Sequence, residues 1–112
     1  MTTTVSGLFR FPVKSMAGER HSTLAFTGRG AVGDRVWAVR DEVRGGIRGG
    51  KKIPSLMKLA AHFPGEVRAE GSSPAVITAP DGSSRETGRL RIASWVGSNG
   101  RWNSSSMCSS QL

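Results

Sequence analysis

Apolar and polar residues alternate over short stretches of this chain, and glycine or proline separates most of these stretches. Thr3–Val13 carries Val5, Leu8, Phe9, Phe11 and Val13, a loose alternation that predicts a first strand ending near Pro12. Pro12 also biases Phe11 toward an extended backbone. His21–Thr27 offers Leu24 and Phe26 as the apolar face of a second strand, closed by the turn Gly28-Arg29-Gly30. Asp34–Asp41 alternates most cleanly, with Arg35, Trp37, Val39 and Asp41 on one face and Val36, Ala38 and Arg40 on the other.

Further along the pattern is less uniform. Glu42–Gly50 sets Gly45-Gly46 and Gly49-Gly50 around Ile47 and reads as a mobile hairpin loop. Ile53–Phe63 has two readings. Leu56, Leu59, Ala60 and Phe63 fall at helical spacing behind Pro54-Ser55, and the same residues suit an extended strand. Val67, Ala69 and Ala75–Thr78, then the turn Ala79-Pro80-Asp81-Gly82, predict one or two more strands, the last continuing through Leu90–Ile92. The fold class expected is therefore mainly β: a small β-barrel-like domain over 1–93 with at most one short helix. From Ser94 onward no acidic residue occurs, and Ser, Gly and Asn surround isolated apolar residues. Such a segment buries too little to offset backbone ordering, so 94–112 is expected to be a disordered tail.

Composition narrows the function classes. A chain of 112 residues makes one small domain and excludes a multidomain enzyme. No apolar run reaches the roughly 20 residues of a membrane-spanning helix, and Met1–Leu8 has no secretory pattern, which predicts a soluble, cytoplasmic protein. The single cysteine, Cys108, excludes an internal disulfide and a multi-cysteine zinc site. His21 and His62 have no partner at metal-ligand spacing, so no metal ligand is assigned. A formal charge of +8 favours an anionic partner: nucleic acid, a phosphorylated cofactor or acidic lipid.

Three blocks carry candidate chemistry. In Phe11-Pro12-Val13-Lys14-Ser15-Met16, with Gly18-Glu19 behind it, a strand ends in a turn presenting a cation and a hydroxyl, and Gly18 lets the chain fold close to a ligand. The competing reading is a solvated turn lysine beside a turn serine. In Gly33-Asp34-Arg35-Val36-Trp37, Arg35 is a phosphate fork fixed by its strand, or else a surface partner of Asp34 or a stack on Trp37. In Lys51-Lys52-Ile53-Pro54-Ser55-Leu56 the paired lysines either extend the positive field or keep an edge strand soluble, and solubility is the favoured reading. No paired carboxylates, Ser-His-Asp set or Walker motif can be assembled.

In order and spacing, Phe11-Pro12-Val13-Lys14-Ser15, Gly33-Asp34-Arg35-Val36-Trp37-Ala38-Val39-Arg40-Asp41 and Lys52-Ile53-Pro54-Ser55-Leu56 resemble the N-terminal β-barrel domain of MOSC proteins, which are related to the C-terminal domain of molybdenum cofactor sulfurase. The resemblance covers about Val5–Gly82. It implies a module preceding the MOSC domain proper that helps bind an anionic pterin, the molybdenum cofactor (molybdopterin), as in amidoxime-reducing enzymes. It assigns cofactor contact to Lys14, Ser15 and Arg35, with orientation and packing left to Asp34 and Trp37. The family continues into a MOSC domain whose cysteine ligates molybdenum. Cys108 matches no such motif, so the expectation is a truncated fragment, itself catalytically inactive, whose partners are the cofactor and the missing MOSC domain or a redox partner. The alternative is a small basic β-barrel binding nucleic acid or another polyanion, with Trp95 or Trp102 as stacking residues, disfavoured by an aromatic content of 6%.

Overall fold

The computed structural model describes residues 2–40, 45–51, 54–69, 73–87, 95–96, 101–102 and 106–109. Glycine and proline punctuation keeps every strand short. In chain order they are β1 (Leu8–Arg10), β2 (Glu19–His21), β3 (Phe26–Thr27), β4 (Gly30–Ala31), β5 (Trp37–Arg40), β6 (Ile47–Arg48), β7 (Ala60–His62), β8 (Val76–Thr78), β9 (Ser84–Glu86), β10 (Trp95–Val96), β11 (Arg101–Trp102) and β12 (Ser106–Ser109). The described helical content is a single 3-10 turn, Pro54–Lys58. All strand pairs are antiparallel: β1 with β2, β3 with β4, β10 with β11, and the three-stranded sheets β12-β5-β6 and β7-β8-β9. The mainly β fold matches expectation. None of the described helical segments is long and apolar enough to cross a membrane.

The segment between β1 and β2 joins the two three-stranded sheets. On one side Trp37 N donates to Pro12 O at 3.0 Å and Lys14 N to Trp37 O at 2.9 Å. On the other, Ala17 N donates to Leu59 O at 2.8 Å and Ala61 N to Ala17 O at 2.9 Å. Val13 and Met16 point into the core with Val39, Leu56, Leu59, Ala61, Ile77 and Ala79, and Trp37 packs against the same cluster. Burying these side chains together supplies the main driving force for the fold.

Several sequence readings are corrected. The first strand shrinks to Leu8–Arg10, and His21–Thr27 divides between β2 and β3. The stretch from Asp34 is a turn up to Arg35, and β5 begins only at Trp37. Within β5 the two-residue alternation fails because Ala38 and Val39, on opposite faces, are both buried, so both faces of the strand are covered. Ile47 and Arg48, read as loop, pair with Arg40 and Val39. Within Ile53–Phe63, the described residues 54–63 take both readings in succession. The 3-10 turn buries Leu56, after which Leu59, Ala61 and Phe63 are buried at period two. Val67 and Ala69 lie outside any strand, while Leu90–Ile92 lies outside the described residues. Of the tail 94–112 the description is confined to the backbones of β10, β11 and β12, the last pairing Met107 with Val39.

Candidate functional site

Lys14 and Ser15 face outward because their neighbours face inward. Val13 and Met16 are anchored in the core, and Met16 N closes the turn on Val13 O at 3.3 Å. Ser15 takes φ = 69°, a left-handed conformation that costs a non-glycine residue about 1–2 kcal/mol. The surrounding backbone bonds to β5 and β7 hold it there. Its Oγ accepts the Gly50 amide at 2.8 Å, which ties the loop after β6 across the turn. An open cleft of about 670 Å³ results, lined by Lys14, Ser15, Gly49, Gly50, Lys51 and Met57. Among the described residues no ion pair engages Lys14 or Lys51.

Arg35 is placed by a different device. Asp34 Oδ1 accepts the Phe11 amide at 2.9 Å, and its Oδ2 pairs with Arg35 Nη1 at 2.6 Å. Arg35 N donates in turn to Phe11 O. The guanidinium lies 5.4 Å from the Phe11 ring centroid, with 58% of the side chain exposed. At φ = 50° Arg35 shares with Ser15 the left-handed region, and among the described residues no other non-glycine residue has positive φ. Left-handed non-glycine residues concentrate at functional sites. Backbone bonds thus zip the Lys14–Ser15 and Asp34–Arg35 motifs side by side, yet Arg35 is not among the residues lining the cleft. The strand anchorage expected for Arg35 is corrected to a turn held by Asp34. Of the two surface arrangements weighed for it, the Asp34 pair forms, and the stacking partner is Phe11 instead of Trp37. Trp37 packs on the core, its Nε1 donating to Ser73 O at 2.8 Å.

A family model described as the MOSC N-terminal beta barrel domain matches residues 2–99. The chain belongs to that family. No curated protein and no solved structure matches it. The MOSC family is associated with the molybdenum cofactor in general.

Within this MOSC N-terminal domain, two site features escaped the sequence reading. The pair Gly49-Gly50 signalled flexibility, whereas the structure uses it for close approach: a Cβ on Gly49 would stand 3.1 Å from Ser15 Oγ and 3.3 Å from Lys14 Cε. Met57 had no signal beyond its position in the Pro54–Lys58 turn. The reading of Gly18 is corrected as well. A Cβ there would collide with Arg10 O and stand 2.7 Å from Phe11 Cδ1, so this glycine admits β1 and not a ligand. Lys51 lines the cleft, and Lys52 lies outside the described residues. His21 contacts Glu19, its Nε2 3.4 Å from Oε1, beside the partly buried Arg10–Glu19 pair. Among the described residues no group of three or more His, Cys, Asp or Glu side chains is arranged for a metal ion. The side chains of Trp95, Trp102 and Cys108 lie outside the described residues.

Proposed function

We propose that this MOSC N-terminal domain is a cofactor-binding module that contributes Lys14, Ser15 and Arg35 to the site of the anionic molybdopterin cofactor. The observation that carries the reading is the strained, hydroxyl-bearing Ser15 turn, which sets a lysine without an acidic partner among the described residues over a cleft floored by glycine backbone. Such a donor set suits a phosphate: Lys14 supplies a mobile point charge and Ser15 a short polar contact. A side chain at Gly49 would fill the same space, so the residues present fit an anionic group. Arg35, oriented by Asp34 and Phe11, offers a planar cation to a second part of the cofactor outside the cleft lining. When bound, the cofactor supplies molybdenum-centred transfer of electrons or sulfur. This chain's own residues bind and orient it.

The test is cofactor retention. The full chain, produced in cells that make the cofactor, is purified and assayed for pterin fluorescence after oxidation and for molybdenum. Pterin is expected to accompany the wild-type chain, and Lys14→Ala and Arg35→Gln are each expected to reduce it about tenfold, the loss of one charge-assisted contact. A wild-type chain free of pterin overturns the proposal. Salt-sensitive retention of an oligonucleotide in its place favours the polyanion-binding alternative.

A further inference from the structure

We infer that Lys51 and Met57 form a second, ligand-selecting wall of the Lys14–Ser15 cleft, which takes an anion joined to a flat ring: Lys51 shares the anion with Lys14, and Met57 meets the ring. The inference rests on the cofactor-binding reading and adds residues to which no role in it has been given. Three observations carry it. The loop bearing Lys51 is fastened to the site, since the Gly50 amide donates to Ser15 Oγ at 2.8 Å, 35 residues away. Lys14 and Lys51 line one cleft with no ion-pair partner for either among the described residues, and two like charges across a shared cavity repel until an anion lies between them. Met57 is 69% exposed and lines the cleft, so its side chain is free to meet a ligand and is not held in the core. Its Sδ lies 3.3 Å from where a Cβ on Gly50 would stand, so the thioether borders the glycine floor. A polarizable thioether beside two cations suits a ring that carries a negative group, because sulfur contacts aromatic edges favourably.

Amide shifts of the full chain, titrated with inorganic phosphate and with phenyl phosphate, test the inference. In the wild type both probes are expected to move the Ser15, Gly49 and Gly50 amides, with phenyl phosphate bound severalfold tighter. Lys51→Ala is expected to weaken both probes about fivefold, the loss of one charged contact. Lys58→Ala, which removes the same charge from outside the cleft lining, is expected to leave them within a factor of two of wild type. Met57→Ala is expected to abolish the preference for phenyl phosphate and leave inorganic phosphate unchanged. Gly49→Ala, which fills the floor without altering charge, is expected to weaken both. If Lys14→Ala and Ser15→Ala lose binding while Lys51→Ala and Met57→Ala keep it, the second wall is overturned and the parent reading stands. If Lys14→Ala and Ser15→Ala bind like wild type, the parent reading falls with it. A wild-type chain that responds to neither probe overturns this inference, and the pterin assay then judges the parent reading on its own.

Discussion

The Phe11 amide donates to Asp34 Oδ1 at 2.9 Å, so a carboxylate 23 residues away caps the backbone just before the Lys14–Ser15 turn. Through its second oxygen the same carboxylate holds Arg35 at 2.6 Å. Asp34 thereby couples the two candidate motifs in position, whether or not it touches a ligand.

Removing that carboxylate tests the coupling. Asp34→Ala leaves the Phe11 amide without its acceptor and releases Arg35, with an expected loss of about 1–3 kcal/mol of unfolding free energy. Asp34→Asn keeps an acceptor for Phe11 and removes only the charged pair, which is 58% exposed on the arginine side, so its loss is expected to be smaller. Urea unfolding of both variants checks the order, and equal losses would show that the Phe11 bond contributes nothing.

Ser15 combines an unfavourable φ with a useful hydroxyl, and substitution separates the two. Ser15→Ala deletes the acceptor for Gly50 and retains the strain at φ = 69°. Ser15→Gly deletes the acceptor and relieves the strain, and is expected to be the more stable by about 1 kcal/mol. In both variants the Gly50 amide is expected to exchange with solvent faster. Unchanged exchange would mean that the amide finds another acceptor.

The core and the cleft lie on different faces of the Pro54–Lys58 turn and the residue after it. Leu59 has 0% exposure within the core cluster, and Leu59→Ala is expected to cost about 2–5 kcal/mol through lost burial and the cavity left behind. Met57 is exposed, and Met57→Ala is expected to stay within about 0.5 kcal/mol of wild type. Thermal unfolding measures both. A large loss at Met57 would assign it to the core and remove it from the cleft.

At the Pro80-Asp81-Gly82 turn, hydrogen bonds from the Ser83 hydroxyl and then the Ser83 amide hold the Asp81 carboxyl below its ordinary pKa. A carboxyl depressed in the folded state stabilises it above the unfolded-state pKa, and this contribution disappears as pH falls through the folded value. The affected window is therefore acidic, below the usual aspartate range. A carboxyl-carbon titration is expected to place Asp81 below that range and Ser83→Ala to return it upward. An unmoved midpoint in Ser83→Ala would exclude the hydroxyl as the main cause.

Sequence alone carried the features that arise from local chemistry. Short alternating runs broken by glycine and proline specify mainly β structure, and Ala79-Pro80-Asp81-Gly82 specifies its own turn, with the Gly82 amide donating to Ala79 O at 2.9 Å. The outward pairing of Lys14 and Ser15 was also legible, because Pro12 and the apolar Val13 and Met16 orient it. Contacts between distant segments were decided by packing. Asp34 reaches Phe11 across 23 residues and Ser15 reaches Gly50 across 35, and no pattern along the chain encodes either bond. For that reason Arg35 read as a strand residue and Gly49-Gly50 as slack. The folded chain makes Arg35 a carboxylate-held turn residue, and it makes the glycine pair the floor of a cleft, where a Cβ on Gly49 would crowd Ser15 Oγ and Lys14 Cε.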